Sequence, residues 1–346
     1  MCHYCVDKTI FKMTDIQHIL ENFKKLNVLI VGDVMIDRYL HGKVNRISPE
    51  APVPVVELQK QEDRLGGAAN VALNIKALGA TPYLYSVVGD DTEGVTFQKL
   101  MTEFDLNTEG VMTSSDRKTT VKTRIMAGSH QMLRVDSENI HDLEENLQDI
   151  FLENIRKLLT IKSIHVIIFQ DYNKGVLTSK IIEGVILEAL KHHIPTVVDP
   201  KKHHFLDYKQ VTLFKPNLKE IREAVPFEVK TDLQSLQKAA DFLRIHLGQK
   251  YTMVTLSDKG LYFEQNTPKG INEGYRDDKI YSTKTRNITD VSGAGDTVVS
   301  IAALGLASAL SIDAIATLSN LAGGQVCETA GVVPVNLEQL AHEFSS

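Results

Sequence analysis

Short, unbroken apolar runs, each closed by a polar or turn residue, recur along this chain and constrain its fold more than any other feature. Val28–Val31 precedes Gly32-Asp33, Tyr83–Val88 precedes Gly89-Asp90, and Val166–Phe169 precedes Gln170-Asp171. Thr196–Val198 runs into Asp199-Pro200, Val211–Phe214 into Lys215-Pro216-Asn217, and Met253–Leu256 into Ser257. Runs of this length suit strands buried on both faces. Stretches with helical spacing alternate with them: Ala68–Leu78, Glu93–Phe104, Leu143–Leu159, Ser179–His192, Leu233–Leu247, Ala294–Ala309 and Ile312–Glu328. A first helix is expected over 14–25, where Thr14 and Gln17 have capping-box spacing. The alternation predicts an α/β fold with a mainly parallel central sheet and helices on both faces. Ligands then sit beyond the C-terminal strand ends, where the polar residues named above lie. Ordinary turn and N-cap preferences account for about half of those residues.

Two segments break the pattern. Arg38–Lys60 holds Pro49, Pro52 and Pro54 and a strand-like Val53–Leu58, and Lys118–Asp136 alternates in β fashion without a helix. Three prolines remove ladder donors, which excludes a central parallel strand. The segments are expected to form antiparallel strands of a small flap, or else a plain edge extension of the main sheet. The domain reading is a 1–26 extension with a helix, then one domain over 27–346 with lid segments at about 38–60 and 117–136.

The chain is long and apolar enough for a real core, with 346 residues of which 43% are hydrophobic. Its 38 Lys+Arg against 44 Asp+Glu give a net charge of −6, which argues against non-specific nucleic-acid binding. Small anions remain open as ligands, since helix N-termini and a few cations suffice. No stretch approaches the ~18 apolar residues of a membrane span, and Met1–Lys12 lacks the apolar core of a secretory signal. A cytoplasmic location is expected. Three cysteines make no disulfide framework. Cys2 and Cys5 form a C-x-x-C around His3, but no second ligand pair follows. The His192-His193 and His203-His204 pairs read as loop and helix-end residues, because no acidic partner has metal-ligand spacing.

The chemistry concentrates at Asp290-Val291-Ser292-Gly293-Ala294-Gly295-Asp296-Thr297, which runs straight into a helix. Small residues there let backbone N–H groups approach an anion, and the helix dipole adds positive potential. An Asp in the first turn can accept a proton from a hydroxyl attacking phosphorus. The plainer alternative is a tight turn with Asp296 meeting the dipole. Gly66-Gly67-Ala68-Ala69-Asn70 is a second glycine-led helix entry, in which Asn70 offers donor and acceptor to a hydroxyl. No Walker-A pattern occurs, and no G-x-G-x-x-G follows the first strand, so P-loop and dehydrogenase readings fail.

Taken in order, Gly32–Asp37, Gly66–Asn70, Asn217–Glu220, Thr255–Gly260 and Asp290–Asp296 resemble the motifs of the ribokinase-like, phosphofructokinase-B type carbohydrate kinases. The resemblance covers roughly residues 27–340. It implies a three-layer sandwich with a small β lid, and ATP-dependent phosphoryl transfer to a sugar. It also implies roles. Asp296 is the base, and Gly293, Ala294 and Gly295 form the anion hole. Asn217 and Glu220 organise Mg²⁺ through water. Asn217, Ser257, Gly260, Gly293 and Gly295 face the nucleotide, and Asn320 lies at the adenine pocket. Asp33, Asp37, Gly66, Gly67 and Asn70 hold sugar hydroxyls. Asp290 and Ser292 belong to a monovalent-cation site for K⁺.

Gly32–Tyr39, Arg46–Val56, Asp171–Gly175 and Asp290–Thr297 further resemble the heptose-phosphate branch of that family. This implies phosphorylation of the anomeric hydroxyl of D-glycero-β-D-manno-heptose 7-phosphate to the 1,7-bisphosphate, for ADP-heptose and lipopolysaccharide core. Many members of the branch carry a C-terminal nucleotidyltransferase. This chain ends soon after Val335, so the single-function form is expected. Lys202 departs from the branch, where Gly often follows the equivalent of Asp199-Pro200-Lys201, and His203 and His204 are also unusual there. Cations for the sugar phosphate are expected among Lys174, Arg124, Arg134 and Lys201, against the alternative of solvated surface charges. A kinase of fructose 6-phosphate or ribose, and a sugar-binding regulator without catalysis, are the rivals. Val53, Val55 and Val56 suggest that two flaps pair in a homodimer; a monomer with its flap on the sugar is the alternative.

Overall fold

The computed structural model describes residues 13–128, 130–266 and 277–345. Helix α1 (Met13–Phe23) leads into strand β1 (Asn27–Gly32). The chain then leaves for β2 (Val34–Ile47) and β3 (Pro54–Gly67) and returns through α2 (Ala68–Ala77), β4 (Thr81–Gly89), α3 (Thr92–Glu103) and β5 (Val111–Ser114). A second excursion, β6 (Val121–Ala127) and β7 (His130–Ser137), precedes α4 (Glu145–Ile161), β8 (Val166–Gln170), α5 (Ser179–Lys191), β9 (Thr196–Asp199) and β10 (Leu213–Phe214). The remainder is α6 (Leu218–Ala224), α7 (Leu233–Leu247), β11 (Tyr251–Thr255), β12 (Leu261–Gln265), β13 (Asp277–Tyr281), α8 (Ala294–Ala307), α9 (Ile312–Val326) and α10 (Leu337–Phe344).

Among the described residues the main sheet has the order β13-β12-β11-β10-β9-β8-β1-β4-β5. It is parallel from β5 to β11, and β12 and β13 add an antiparallel edge. Alternation along each strand explains the layering. Val28 and Ile30 of β1, with Ile168 of β8, enter one core with Ile16, Val71, Phe97, Val299, Leu318 and Leu340 from helices α1, α2, α3, α8, α9 and α10. Leu29 and Val31, with Ile167 and Phe169, enter the other with Phe151, Val185, Ile221 and Leu243 from α4, α5, α6 and α7. Side chains that alternate across a strand buried on both faces produce two cores and three layers.

The excursions form a separate four-stranded sheet of order β3-β2-β6-β7. This is the lid, not an edge extension. Each excursion is an antiparallel hairpin, and β2 and β6 join the two in parallel. The strands begin and end beyond the expected 38–60 span, because β2 starts immediately after β1, at Val34, and β3 runs to the foot of α2 at Gly67. The active-site elements are set by register. Gly32 lies abreast of Gln170, and Gln170 abreast of Asp199, at the C-terminal ends of adjacent parallel strands. Phe214 lies abreast of Val198, so Lys215 follows beside Asp199.

Candidate active site

Helix α8 opens on Gly293, whose φ of 81° is readily reached by glycine. A Cβ there would lie 3.0 Å from Asn70 Nδ2, so the residue also makes room for its neighbour. The loop into the helix is shaped by Asp290, whose carboxylate accepts from the N–H groups of Ser292 (2.9 Å) and Gly331 (2.9 Å). Burial pushes the Asp290 carboxyl up, but these hydrogen bonds and the charge of Arg124 outweigh it and hold the group below its ordinary range. Ala294 N–H donates to the Val291 carbonyl at 3.3 Å. The first-turn N–H groups of Gly295 and Asp296 have no acceptor within the helix.

Asp296 is 4% exposed and both its oxygens accept hydrogen bonds. Its Oδ2 accepts from Asn70 Nδ2 at 2.7 Å. Its Oδ1 accepts from the Tyr172 hydroxyl at 2.8 Å and Gln170 Nε2 at 3.1 Å. Asn74 braces this arrangement, donating to the Asn70 carbonyl at 3.0 Å and accepting from Thr297 Oγ1 at 3.0 Å, which fastens α2 to α8. Behind Gln170, buried Lys215 pairs with Asp199 at 3.0 Å. Burial pushes the Asp296 carboxyl up to about 6. The Asn70 and Tyr172 hydrogen bonds and the Lys215 charge oppose the rise, and Asp199 adds to it. A carboxyl with such a value is ionised at neutral pH, yet is a stronger base than an exposed Asp.

The other expected residues are placed as follows. Gly66 lies at the end of β3, where a Cβ would meet Asp37 Oδ2 at 2.6 Å; its bareness lets that carboxylate in. Gly67 sits beside it, abreast of Val34. Asp37 is buried and forms an ion pair with Arg124, whose guanidinium also lies 5.2 Å from the Tyr39 ring centre. Asp33 does not present a free carboxylate to a sugar. It accepts the backbone N–H groups of Tyr172 (2.8 Å), Lys174 (3.0 Å) and Val176 (3.1 Å), and so ties down the loop after β8. Asn70 likewise spends its amide N–H on Asp296.

None of the four expected phosphate cations stands free. Arg124 has Asp37, Arg134 has Asp136 (2.9 Å), Lys174 has Glu138 (2.8 Å) and Lys201 has Glu220. A phosphate at any of them would share the cation with a carboxylate already paired to it. Asn217 and Glu220 make a reciprocal capping box at the start of α6: Glu220 N–H donates to Asn217 Oδ1 (2.9 Å), and Asn217 N–H donates to Glu220 Oε2 (2.8 Å). Asn217 also bridges to Thr255, which brings it to the end of β11 near Ser257. Ser257 begins a single 3₁₀ turn, Gly260 closes it against the Tyr281 carbonyl, and Asn320 Nδ2 donates to that same carbonyl at 2.9 Å. The expected nucleotide residues thus share one end of the sheet. Cys2 and Cys5 lie outside the described residues.

Sequence reasoning missed Gln170, Tyr172, Asp199 and Lys215 as partners around Asp296. Gln170, Asp199 and Lys215 are strand-end residues, and that position was their only signal. A groove of about 1030 Å³ lies at the opposite, N-terminal strand ends, lined by Lys76, Tyr83, Asp105, Asn154 and Lys162. We place the site by Asp296 instead, because the buried carboxylate network converges there.

A match to the pfkB family carbohydrate kinase model spans residues 25–339. The chain belongs to this family and is a phosphotransferase acting on a sugar. It is 37% identical over 324 residues to the bifunctional protein HldE of Aliarcobacter butzleri, covering 93% of this chain and 65% of that protein. It is 38% identical over 320 residues to the bifunctional protein HldE of Campylobacter jejuni, covering 92% of this chain and 64% of that one. The chain therefore spans about two-thirds of the length of these relatives. Among solved structures, phosphofructokinase-2 from Escherichia coli in complex with potassium matches with a TM-score of 0.74 at 19% identity, over 93% of this chain and 99% of that one. Ribokinase from Arabidopsis thaliana, complexed with ribose and ATP, matches with a TM-score of 0.68 at 15% identity, over 92% and 98%. These likenesses establish the ribokinase-like fold. Among the described residues no helix is long and apolar enough to cross a membrane.

Proposed function

We propose that this carbohydrate kinase transfers the γ-phosphoryl group of ATP to the anomeric hydroxyl of D-glycero-β-D-manno-heptose 7-phosphate. The observation that carries phosphoryl transfer is Asp296, buried at the start of α8 with its carboxyl pushed up to about 6. The heptose assignment is supported by the Gly32–Tyr39, Arg46–Val56, Asp171–Gly175 and Asp290–Thr297 motifs. Relatives at 35–38% identity, all bifunctional proteins HldE, agree with it.

In this reading the sugar sits between the strand ends and the lid. Asp296 takes the hydroxyl proton as oxygen attacks phosphorus, with Tyr172, Gln170 and Asn70 fixing both carboxylate oxygens. The first-turn amides of α8 face the charge that develops on the phosphoryl group. Asp199, Asn217 and Glu220 offer the oxygen donors that suit Mg²⁺, and Glu220, already bonded to Lys201 and Asn217, would hold it through water. Mg²⁺ when bound neutralises phosphate charge. Each Asp290 oxygen accepts one backbone hydrogen bond and keeps a further lone pair, so Asp290 can both shape the loop and face a monovalent cation such as K⁺.

ADP release measured side by side tests the substrate. Heptose 7-phosphate is expected to exceed fructose 6-phosphate and ribose by at least ~10²-fold in kcat/KM. A preference for either rival moves the chain to another kinase of this fold, and binding without turnover makes it a regulator.

The homodimer is proposed on the lid surface. Leu133 is 56% exposed and Val135 49%, two positions apart on edge strand β7 and so on one face; at the other edge of the lid Val53 is 51% exposed, while Val55 and Val56 are half-buried. Light scattering should give a dimer that Leu133→Asp converts to monomer. A wild-type monomer at working concentration defeats the pairing.

A further inference from the structure

Two distant segments bring metal-ligating groups together beside the β9 loop. Asp142 stands just before α4, and His203 and His204 follow Lys201 in the loop after β9. One ligand atom from each lies within 4.8 Å of the others. Asp142 and His203 are exposed, whereas His204 is 8% exposed. His204 Nδ1 lies 2.8 Å from Asp207 Oδ2, and that oxygen also accepts from Ser179 Oγ at 2.7 Å. A carboxylate acceptor keeps the proton on Nδ1 and leaves the lone pair on Nε2. That Nε2 is buried and has no hydrogen-bond partner. Asp142 Oδ1 is 3.8 Å away, too far for a hydrogen bond. A buried polar atom left so is unfavourable and calls for an explanation.

We propose that Asp142, His203 and His204 bind a divalent transition-metal ion of the zinc class. Two imidazoles and a carboxylate suit Zn²⁺, Co²⁺ or Ni²⁺ and disfavour Mg²⁺ and Ca²⁺. The Asp207–His204 hydrogen bond is the outer-shell contact that orients such a ligand. Donors around a tetrahedral ion lie about 3.4 Å apart, so the set closes by little more than an ångström, through two exposed side chains. The acid that the local spacing of the histidine pair lacks arrives from the segment before α4, brought in by the fold. That segment already packs on the β8 loop, where a Cβ at Gly175 would meet the His141 carbonyl. An ion there fastens it to the loop carrying Lys201. None of the three touches the Asp296 carboxylate, whose contacts are Asn70, Gln170 and Tyr172.

The test is equilibrium dialysis of the full chain against Zn²⁺ in excess Mg²⁺, with Cys2 and Cys5 replaced by Ser to remove competing thiols. One Zn²⁺ per chain is expected. His203→Ala and Asp142→Asn, both at exposed positions, should weaken it at least tenfold, and Asp207→Asn by roughly 10-fold or more. Zn²⁺ should raise the thermal midpoint of the parent protein and raise that of His203→Ala by clearly less at the same concentration. Zn²⁺ that is not retained, or is retained equally by His203→Ala and Asp142→Asn, overturns the site.

Discussion

Replacing Asp296 by Asn is expected to lower kcat by roughly 10²–10⁴-fold while KM for either substrate changes little. The amide has the carboxylate's shape and can still accept from Tyr172 and Gln170 on its oxygen; its NH2 then faces Asn70, whose amide turns to present its oxygen in place of its NH2. It cannot take a proton. The loss therefore falls on the transition state and not on ground-state binding. Steady-state kinetics of both substrates separate the two, and near-normal kcat would remove Asp296 from the reaction.

The same substitution should stabilise the fold, and the sign follows from burial. The Asp296 carboxyl rises from 3.8 to about 6, so the folded chain holds its proton more tightly than the unfolded one. Below 3.8 the group is neutral in both states and burying it carries no ionic penalty. Between those values stability falls as pH rises, and above about 6 the full penalty, about 3 kcal/mol, is present. Asn never carries it. Urea midpoints should favour Asp296→Asn at pH above about 6 and converge with wild type near pH about 4. Wild-type kcat/KM should fall on the acid side of about 6, as the base becomes protonated. A loss of activity coupled to a gain in stability marks a group retained for chemistry.

The main sheet was legible because its strands are buried on both faces and so appear as unbroken apolar runs. The lid was legible through its prolines. Elements that depend on distant partners were not. Strand β12 carries buried Glu264, which breaks its apolar run and finds Arg244 of α7 at 3.2 Å only in the folded chain. Four-residue β5 and seven-residue α6 are too short for periodicity to register. Helix α10 packs Leu340 and Phe344 inward from only eight residues.

At the site, G-x-G-D before a helix singled out Asp296, since an anion-binding turn and its carboxylate are local in sequence. Its partners come from β8 and α2 and depend on register. The expected cations show the same limit. Arg124 lies opposite Tyr39 on the adjacent strand, one step along the face from the Asp37 position, so its pairing follows from the β2–β6 alignment and not from spacing. The Asn217–Glu220 spacing serves two ends at once. It matches a ligand motif in the family and, in the structure, a capping box, and one string of residues cannot tell these apart.

Asp33→Ala is expected to cost about 3–5 kcal/mol of stability, because Asp33 works as a brace. The sequence alone suggests a sugar ligand. The structure instead gives its two oxygens three backbone N–H groups from residues 172–176, and removing the carboxylate leaves these donors without acceptors. Burial pushes the Asp33 carboxyl up, against those same hydrogen bonds and the charge of Arg117, so part of the loss is offset by relief of a buried charge. Neighbouring Asp171, also raised by burial and by repulsion from Asp33, gains from the same relief. The three lost acceptors outweigh that gain, since the buried Val176 N–H left unsatisfied costs about 1–3 kcal/mol and the half-buried Tyr172 and Lys174 N–H groups add to it. The loop they hold carries Tyr172, whose hydroxyl positions Asp296 Oδ1, so kcat should fall by roughly 10-fold or more as well. Urea unfolding of Asp33→Ala should show a lower midpoint at unchanged slope. A variant with wild-type stability and a raised KM for sugar alone would return Asp33 to the sugar site and refute its bracing role.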